Sequence, residues 1–405
     1  MKNLFLLLIL SLCFFECNSS KNITANNTKQ GTAPNQDSFQ SDIAVGASQF
    51  DNYLPLLKDK GVAMVVNQTS TVGDKHIVDL LLAKGVAIKK IFAPEHGFRG
   101  DADAGEKVNN TVDSKTGLPL LSLYGKDKKP SKENLEGVDV IIFDIQDVGV
   151  RFYTYISTMH YVMEACAEQG KELVIFDRPN PNGDYVDGFV LEQKFQSFIG
   201  MHPIPIVHGL TVGELAMMIN EEGWLPNKAK CKLNVIKCKN YTHKSKYSLP
   251  VRPSPNLPND RAIFLYPSTC FFEGTVASLG RGTDAPFQMI GYPDYPDKSF
   301  SFIPKSTEGA KNPPLKDQVC YGVDLRKTQD WKYRFSFQEL IKFYQTAPNK
   351  AKFFTDFIHK LAGTERLRTM IEQGKTEEQI RESWRAELAA YKVMRKNYLL
   401  YEDFE

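Results

Sequence analysis

Short, unbroken runs of aliphatic residues, separated by stretches with helical periodicity, constrain this chain more than any other feature. Val62–Val66, Val86–Ala93, Val138–Phe143 and Glu172–Phe176 read as strands with little polar alternation. A strand that is apolar on both faces must be covered on both faces, which is the signature of a parallel sheet between helical layers. The intervening segments supply those layers. Asp74–Lys84 sets Ile77, Leu80 and Leu81 on one helical face and stops at Gly85, and Ser157–Gln169 stops at Gly170. Ile204–Val207 reads as a fifth strand weakened by its prolines. Thr211 and Glu214 form a capping-box pattern that opens another helix.

From Lys246 onward the pattern changes. Pro250, Pro253, Pro255 and Pro258 exclude regular structure. Helical patterns return at Phe337–Thr346 and over Glu377–Leu400, the latter read as one long amphipathic helix. With 405 residues there is length for two domains. The expected fold class is therefore α/β: a Rossmann-like parallel-sheet domain over 43–245, then a smaller α+β domain over 246–405 that closes a cleft.

The first residues have a different character. Lys2 precedes the apolar run Leu4–Phe15, too short to span a bilayer as a helix and placed where a signal peptide lies, so 1–17 reads as an export signal. Residues 18–42 hold almost no large apolar groups and read as a flexible tether. Cys13 and Cys17 raise the alternative of a lipid anchor in a membrane, although Leu12 and Glu16 before them are not small. The expected location is exported, either periplasmic or membrane-anchored. Five further cysteines, with no C-x-x-C pair, leave disulfide pairing open.

Parallel sheets bind ligands beyond the carboxyl ends of their strands. Here those ends carry Asn67 and Gln68; Pro94-Glu95-His96-Gly97-Phe98-Arg99; Asp144 to Tyr153, with Asp147 and Arg151; Asp177-Arg178; and His208. One polar strand end is ordinary, whereas five along one edge point to a site. No dinucleotide or phosphate-loop glycine pattern follows a strand, and there is no serine-hydrolase elbow or H-E-x-x-H pair. The Asp101–Glu106 segment misses the calcium-loop spacing. No cofactor and no metal is expected. A net charge of +2 without long basic runs gives no nucleic-acid footprint.

Carboxylates, amides, arginines and aromatics together suit a sugar. Cleaving a glycosidic bond needs a carboxylic acid that holds its proton near neutral pH. Glu95, after an apolar strand and Pro94 in a glycine-flanked loop, fits that role. Asp144 and Asp147 lead as the second carboxylate, with Glu273 and Asp284 behind.

Several long motifs carry a resemblance. Pro94–Gly100, Asp144–Tyr155, Asp177–Pro181, His208–Glu214, Arg252–Asn256, Phe272–Thr275, Gly280–Asp284, Ser383-Trp384 and Tyr398–Tyr401 are similar to those of the NamZ-type exo-β-N-acetylmuramidases. The similarity runs from about Val45 to Tyr401. It implies release of N-acetylmuramic acid (MurNAc) from non-reducing ends of peptidoglycan-derived MurNAc–GlcNAc chains (GlcNAc, N-acetylglucosamine), with the catalytic glutamate falling on Glu95. The lactyl carboxylate of that sugar calls for an arginine fork. Arg151 and Arg281 are the first candidates, followed by Arg99, Arg178 and Arg252. Asn67, Gln68, His96, Tyr153, His208, Asn256, Glu273 and Asp284 complete the expected binding set. Two other readings remain: a non-catalytic lipoprotein that binds peptidoglycan fragments, and a metal-dependent amidase or deacetylase using His96 and His208.

Overall fold

A computed structural model describes residues 43–95, 97–98, 111–125, 127–327 and 330–405, all within one compact unit spanning Phe39–Glu405. The expected signal, tether and acidic loop, together with His96 and Arg99, lie outside the described residues.

The first helix, α1 (Phe50–Leu57), precedes strand β1 (Val62–Val66), whose five residues are all buried. A short hairpin, β2 (Thr71–Val72) with β3 (Lys75–His76), leads into α2 (Ile77–Ala83). Next come β4 (Ile88–Ala93), β5 (Thr111–Val112), β6 (Pro119–Ser122) and β7 (Val140–Asp144). Then follow α3 (Tyr155–Gln169), β8 (Glu172–Phe176), α4 (Val212–Glu221) and β9 (Lys232–Ile236). The seven strands of the main sheet lie in the order β5-β6-β4-β1-β7-β8-β9. All neighbours are parallel except β5, which runs antiparallel at the edge. Met64 in β1 faces Ile91 on one side and Ile142 on the other. The chain moves outward from β1 through β4, then returns to β7 on the opposite side of β1. That reversal opens a crevice at the strand ends, where a ligand can enter.

Local chemistry explains the helix ends. α3 stops where Gly170 takes a left-handed conformation and its N–H bonds back to the Cys166 carbonyl. α4 starts with the reciprocal Thr211–Glu214 capping box.

The second segment is smaller. α5 (Asp260–Thr269) is capped by the Asn259 side chain on the Ala262 N–H. β10 (Met289–Tyr292), β11 (Ser301–Phe302) and β12 (Cys320–Asp324) form an antiparallel sheet in the order β10-β12-β11. The remaining helices are α6 (Gln338–Thr346), α7 (Phe357–Ala362), α8 (Arg366–Glu372), α9 (Glu377–Glu382) and α10 (Arg385–Arg395). Both segments contribute to one apolar cluster that contains Phe143, Phe189, Phe271 and Trp384.

Some expectations fail for physical reasons. Ile204–Val207 is no sheet strand; Val207 only bridges to Val150 and Asp187, and the outer parallel strand is β9 instead. The long helix expected over Glu377–Leu400 breaks at Ser383–Trp384, because the indole turns into the core against Phe189, 4.6 Å between ring centroids. The five described cysteines are buried and unpaired.

Residues near 400 close back onto the first segment. Tyr401 donates to the Asp177 carboxylate (2.6 Å) and the Leu400 N–H to Glu214 (2.8 Å). Buried His243 pairs with that same Glu214 at 3.0 Å. Burial pushes the Asp177 carboxyl up to about 6, against the pull of its Tyr401, Gly213 and Thr211 donors.

Candidate active site

A cavity of about 160 Å³ opens between the strand-exit loops of the main sheet and the segment after residue 253. Glu95, two residues beyond β4, forms part of its wall and is partly exposed. Its carboxylate accepts from the Thr154 hydroxyl at 3.0 Å and from the Tyr124 phenol. The loop after β7 adds Phe152, Tyr153 and Thr154, and the first residue of α3 adds Tyr155. The second segment adds Ser254, Asn256, Tyr266, Glu273, Arg281 and Phe287.

The proline-rich crossing is fixed in place by hydrogen bonds. Tyr153 and Tyr155 both donate to the Pro253 carbonyl, at 2.9 and 3.3 Å, and the Gln68 amide reaches the carbonyls of Arg252 and Pro253. Asn256 is held by donation to the Gly309 carbonyl at 2.6 Å. Residues without regular structure thereby become a rigid wall.

Glu273 and Arg281 form an ion pair of 3.0 Å in the cavity, each about a quarter exposed. Burial raises the Glu273 carboxyl, the Arg281 guanidinium opposes that shift, and the charge of Glu95 adds to it. The two carboxyl groups of the cavity lining are therefore close enough to interact electrostatically.

Other expected residues sit elsewhere. Asp144 is fully buried with both oxygens engaged by Arg178, at 2.6 and 3.0 Å. It forms no part of the cavity wall, because a carboxylate so paired and desolvated is a strut. Arg151 is also fully buried, and its guanidinium donates to the carbonyls of Phe189, Ile204, Leu361 and Ala362. It joins the two segments and has no free fork for a substrate. Asp147 lies beneath the wall, accepting from the Gly149 N–H at 2.6 Å, and burial pushes it up to about 7. Asn67 caps its own turn through Thr69. His208 is buried, accepts from the Leu210 N–H, and is pushed down to about 3 by burial. Asp284 is exposed and outside the lining. Among the described residues, no three His, Cys, Asp or Glu side chains gather as a metal site.

The sequence reading missed Tyr124, Thr154, Phe198, Tyr266 and Phe287. Tyr124 was reachable by the strand-end rule, since it follows β6 by two residues, but a four-residue strand beginning at Pro119 gives little signal. Thr154 lies inside a motif already singled out. Phe198 had no local signal.

Family models for the N-terminal and C-terminal parts of the exo-β-N-acetylmuramidase NamZ match residues 62–261 and 264–401. The chain belongs to the NamZ family. It is 38% identical over 378 residues to the peptidoglycan β-N-acetylmuramidase NamZ of Bacillus subtilis, covering 86% of this chain and 89% of that relative. Among solved structures, a DUF1343 family protein from Bacteroides fragilis is 48% identical with a TM-score of 0.84, covering 90% of this chain and all of the other. A second protein of that family and organism is 28% identical with a TM-score of 0.76, covering 89% and 99%. The two family models meet within α5, near the point where the wall passes from one segment to the other.

Proposed function

We propose that this chain is an exo-acting glycoside hydrolase that removes N-acetylmuramic acid from non-reducing ends of peptidoglycan fragments, with Glu95 as the general acid. The observation that carries the reading is that Glu95 and a second carboxyl group, Glu273, line one cavity and interact electrostatically in a member of the NamZ family.

Glu95 gives its proton to the departing glycosidic oxygen as the bond to the anomeric carbon breaks. Thr154 and Tyr124 fix the orientation of the carboxyl group while that proton moves. Glu273 is the better candidate for the second carboxyl role than Asp144 or Asp147, because it alone of the three lines the cavity. It either activates water or supports the substrate during attack on the anomeric carbon. Arg281 is the cation among the described lining residues and is suited to pair with the lactyl carboxylate. A bound lactate would share Arg281 with Glu273, weaken that ion pair and favour the protonated form of Glu273.

The reading includes location. The apolar run Leu4–Phe15 and the polar stretch behind it support export, with the protein either free in the periplasm or lipid-anchored. Metabolic labelling with a palmitate analogue separates the two.

The deciding experiment measures free N-acetylmuramic acid released from MurNAc–GlcNAc by wild-type protein and by Glu95→Gln. Release that survives the substitution removes Glu95 from the acid role. Binding of the disaccharide without any turnover by wild type replaces the hydrolase with a binding protein.

A further inference from the structure

The cavity has two unlike ends. Arg281 and Glu273 make one end polar and charged. At the other, Tyr124 and Phe198 face each other at 6.5 Å between ring centroids, and Ile199 lies beside them. Glu95 stands between the two ends, bonded to Tyr124 and sensed electrostatically by Glu273. The remaining aromatic lining residues are buried in the core, whereas Tyr124, Phe198 and Ile199 are half-exposed at the mouth.

An apolar ring left facing water at a cavity mouth needs a physical reason, and Phe198 is also held firmly in place. Ser197 and Gly200 exchange two backbone hydrogen bonds that close its turn, at 2.9 and 3.0 Å. The Ser157 hydroxyl donates to its carbonyl at 2.6 Å. Tyr161 stacks against the ring at 6.3 Å and an 18° interplanar angle, and the Lys128 ammonium sits 5.3 Å from the ring centroid. Much of the rotamer freedom that binding would otherwise cost is thus already lost.

From this geometry we infer that the Tyr124–Phe198 mouth is a platform for the leaving sugar, a neutral 2-acetamido pyranose, and that Phe198 determines the preference for a glycan over a smaller leaving group. The inference rests on the muramidase reading above. With the lactyl carboxylate at Arg281 and the glycosidic oxygen at Glu95, the departing ring extends towards Phe198. A pyranose has an apolar C–H face that packs on an aromatic surface and a polar rim that suits the Tyr124 phenol and the Lys128 ammonium. Glu95 is the one carboxylate beside Tyr124 among the described lining residues, and as the proposed acid it holds a proton, so this end suits an uncharged sugar.

The test uses Glu95→Gln protein, so that nothing turns over, and two ligands: MurNAc β-methyl glycoside, which ends just past the glycosidic oxygen, and MurNAc–GlcNAc. Calorimetry gives the ratio of their dissociation constants. The expected result is at least about a tenfold preference for the disaccharide, reduced to about twofold by Phe198→Ala and kept by Phe198→Trp. An unchanged ratio in Phe198→Ala, or an equal loss for both ligands, overturns the platform. Failure of wild type to release MurNAc is a separate readout that sinks the hydrolase reading, and the affinity ratio still decides the platform.

Discussion

Two sets of polar groups lie near the carboxyl edge of the main sheet, one sealed among its exit loops and one on the cavity wall shared with the second segment, and they do opposite jobs. Asp144, Arg178, Arg151 and His208 are sealed from water and bonded to partners within the protein. Glu95, Glu273 and Arg281 are partly exposed on a cavity wall. A polar side chain at a strand end is thus no marker of chemistry until its hydrogen bonds are counted. Groups satisfied inwardly hold the loops, and groups with capacity left towards the cavity can act on a ligand.

Substitutions can break this division. The largest effect expected is on turnover: Glu95→Gln lowers kcat by about a thousandfold, within the usual range for removing a general acid, while thermal unfolding stays near wild type. A large fall in melting temperature would move Glu95 into the structural set. Arg178→Met should do the reverse. Removing one partner of a buried ion pair strands Asp144 and costs about 3–5 kcal/mol, visible as a lower urea midpoint. Asp144→Leu combined with Arg178→Met should recover much of that loss, and a double variant as unstable as the single one would contradict the strut assignment.

Asp147 gives a pH-dependent contrast. Its carboxyl titrates near 7 in the folded protein and near 3.8 when unfolded, so the folded state holds the proton more tightly. Stability from this group is full below about pH 4 and falls as pH rises towards 7, by up to a few kcal/mol. His208 has the opposite sign. Buried and neutral, it contributes stability above about pH 6.5 that is lost as pH falls towards 3. Asp147→Asn should make stability rise more steeply between pH 4 and 7 in denaturant titrations, because the opposing His208 contribution then loses its counterweight, and an unchanged slope would contradict the burial-raised Asp147 carboxyl. The smallest effect expected is that of Arg281→Ala. Loss of one charged hydrogen-bonding partner lowers kcat/KM for muramyl substrates by roughly ten- to a hundredfold. The same change should cost much less on the glucosamine analogue lacking the lactyl group, and equal losses on both would free Arg281 from carboxylate recognition.

The sheet was legible because its inner strands are apolar at nearly every position, a pattern that survives without tertiary information. The place of Glu95 on a strand-exit loop was legible for the same reason: a strand end is a fixed address. What failed depended on partners distant in sequence. Arg151 looked like a ligand clamp beside Asp147, yet it meets carbonyls at 361 and 362 that no local pattern reveals. The break after Glu382 follows from a pocket for Trp384 built by Phe189, almost two hundred residues earlier in the chain. Phe198 drew no attention because one phenylalanine in a loop has no periodicity to read.

The clasp around Asp177 and Glu214 has a consequence for synthesis. Tyr401 and Leu400 are made 224 and 186 residues after the carboxylates they satisfy. Until they emerge, a growing chain carries two buried acidic groups, one just past β8 and one in α4, each short of a donor. The first segment is therefore poised to stay loosely packed during synthesis and to set only when those late residues arrive. A message cut short before codon 400 would yield a polypeptide with the cavity loops encoded in full, yet without the clasp that locks them into a working shape.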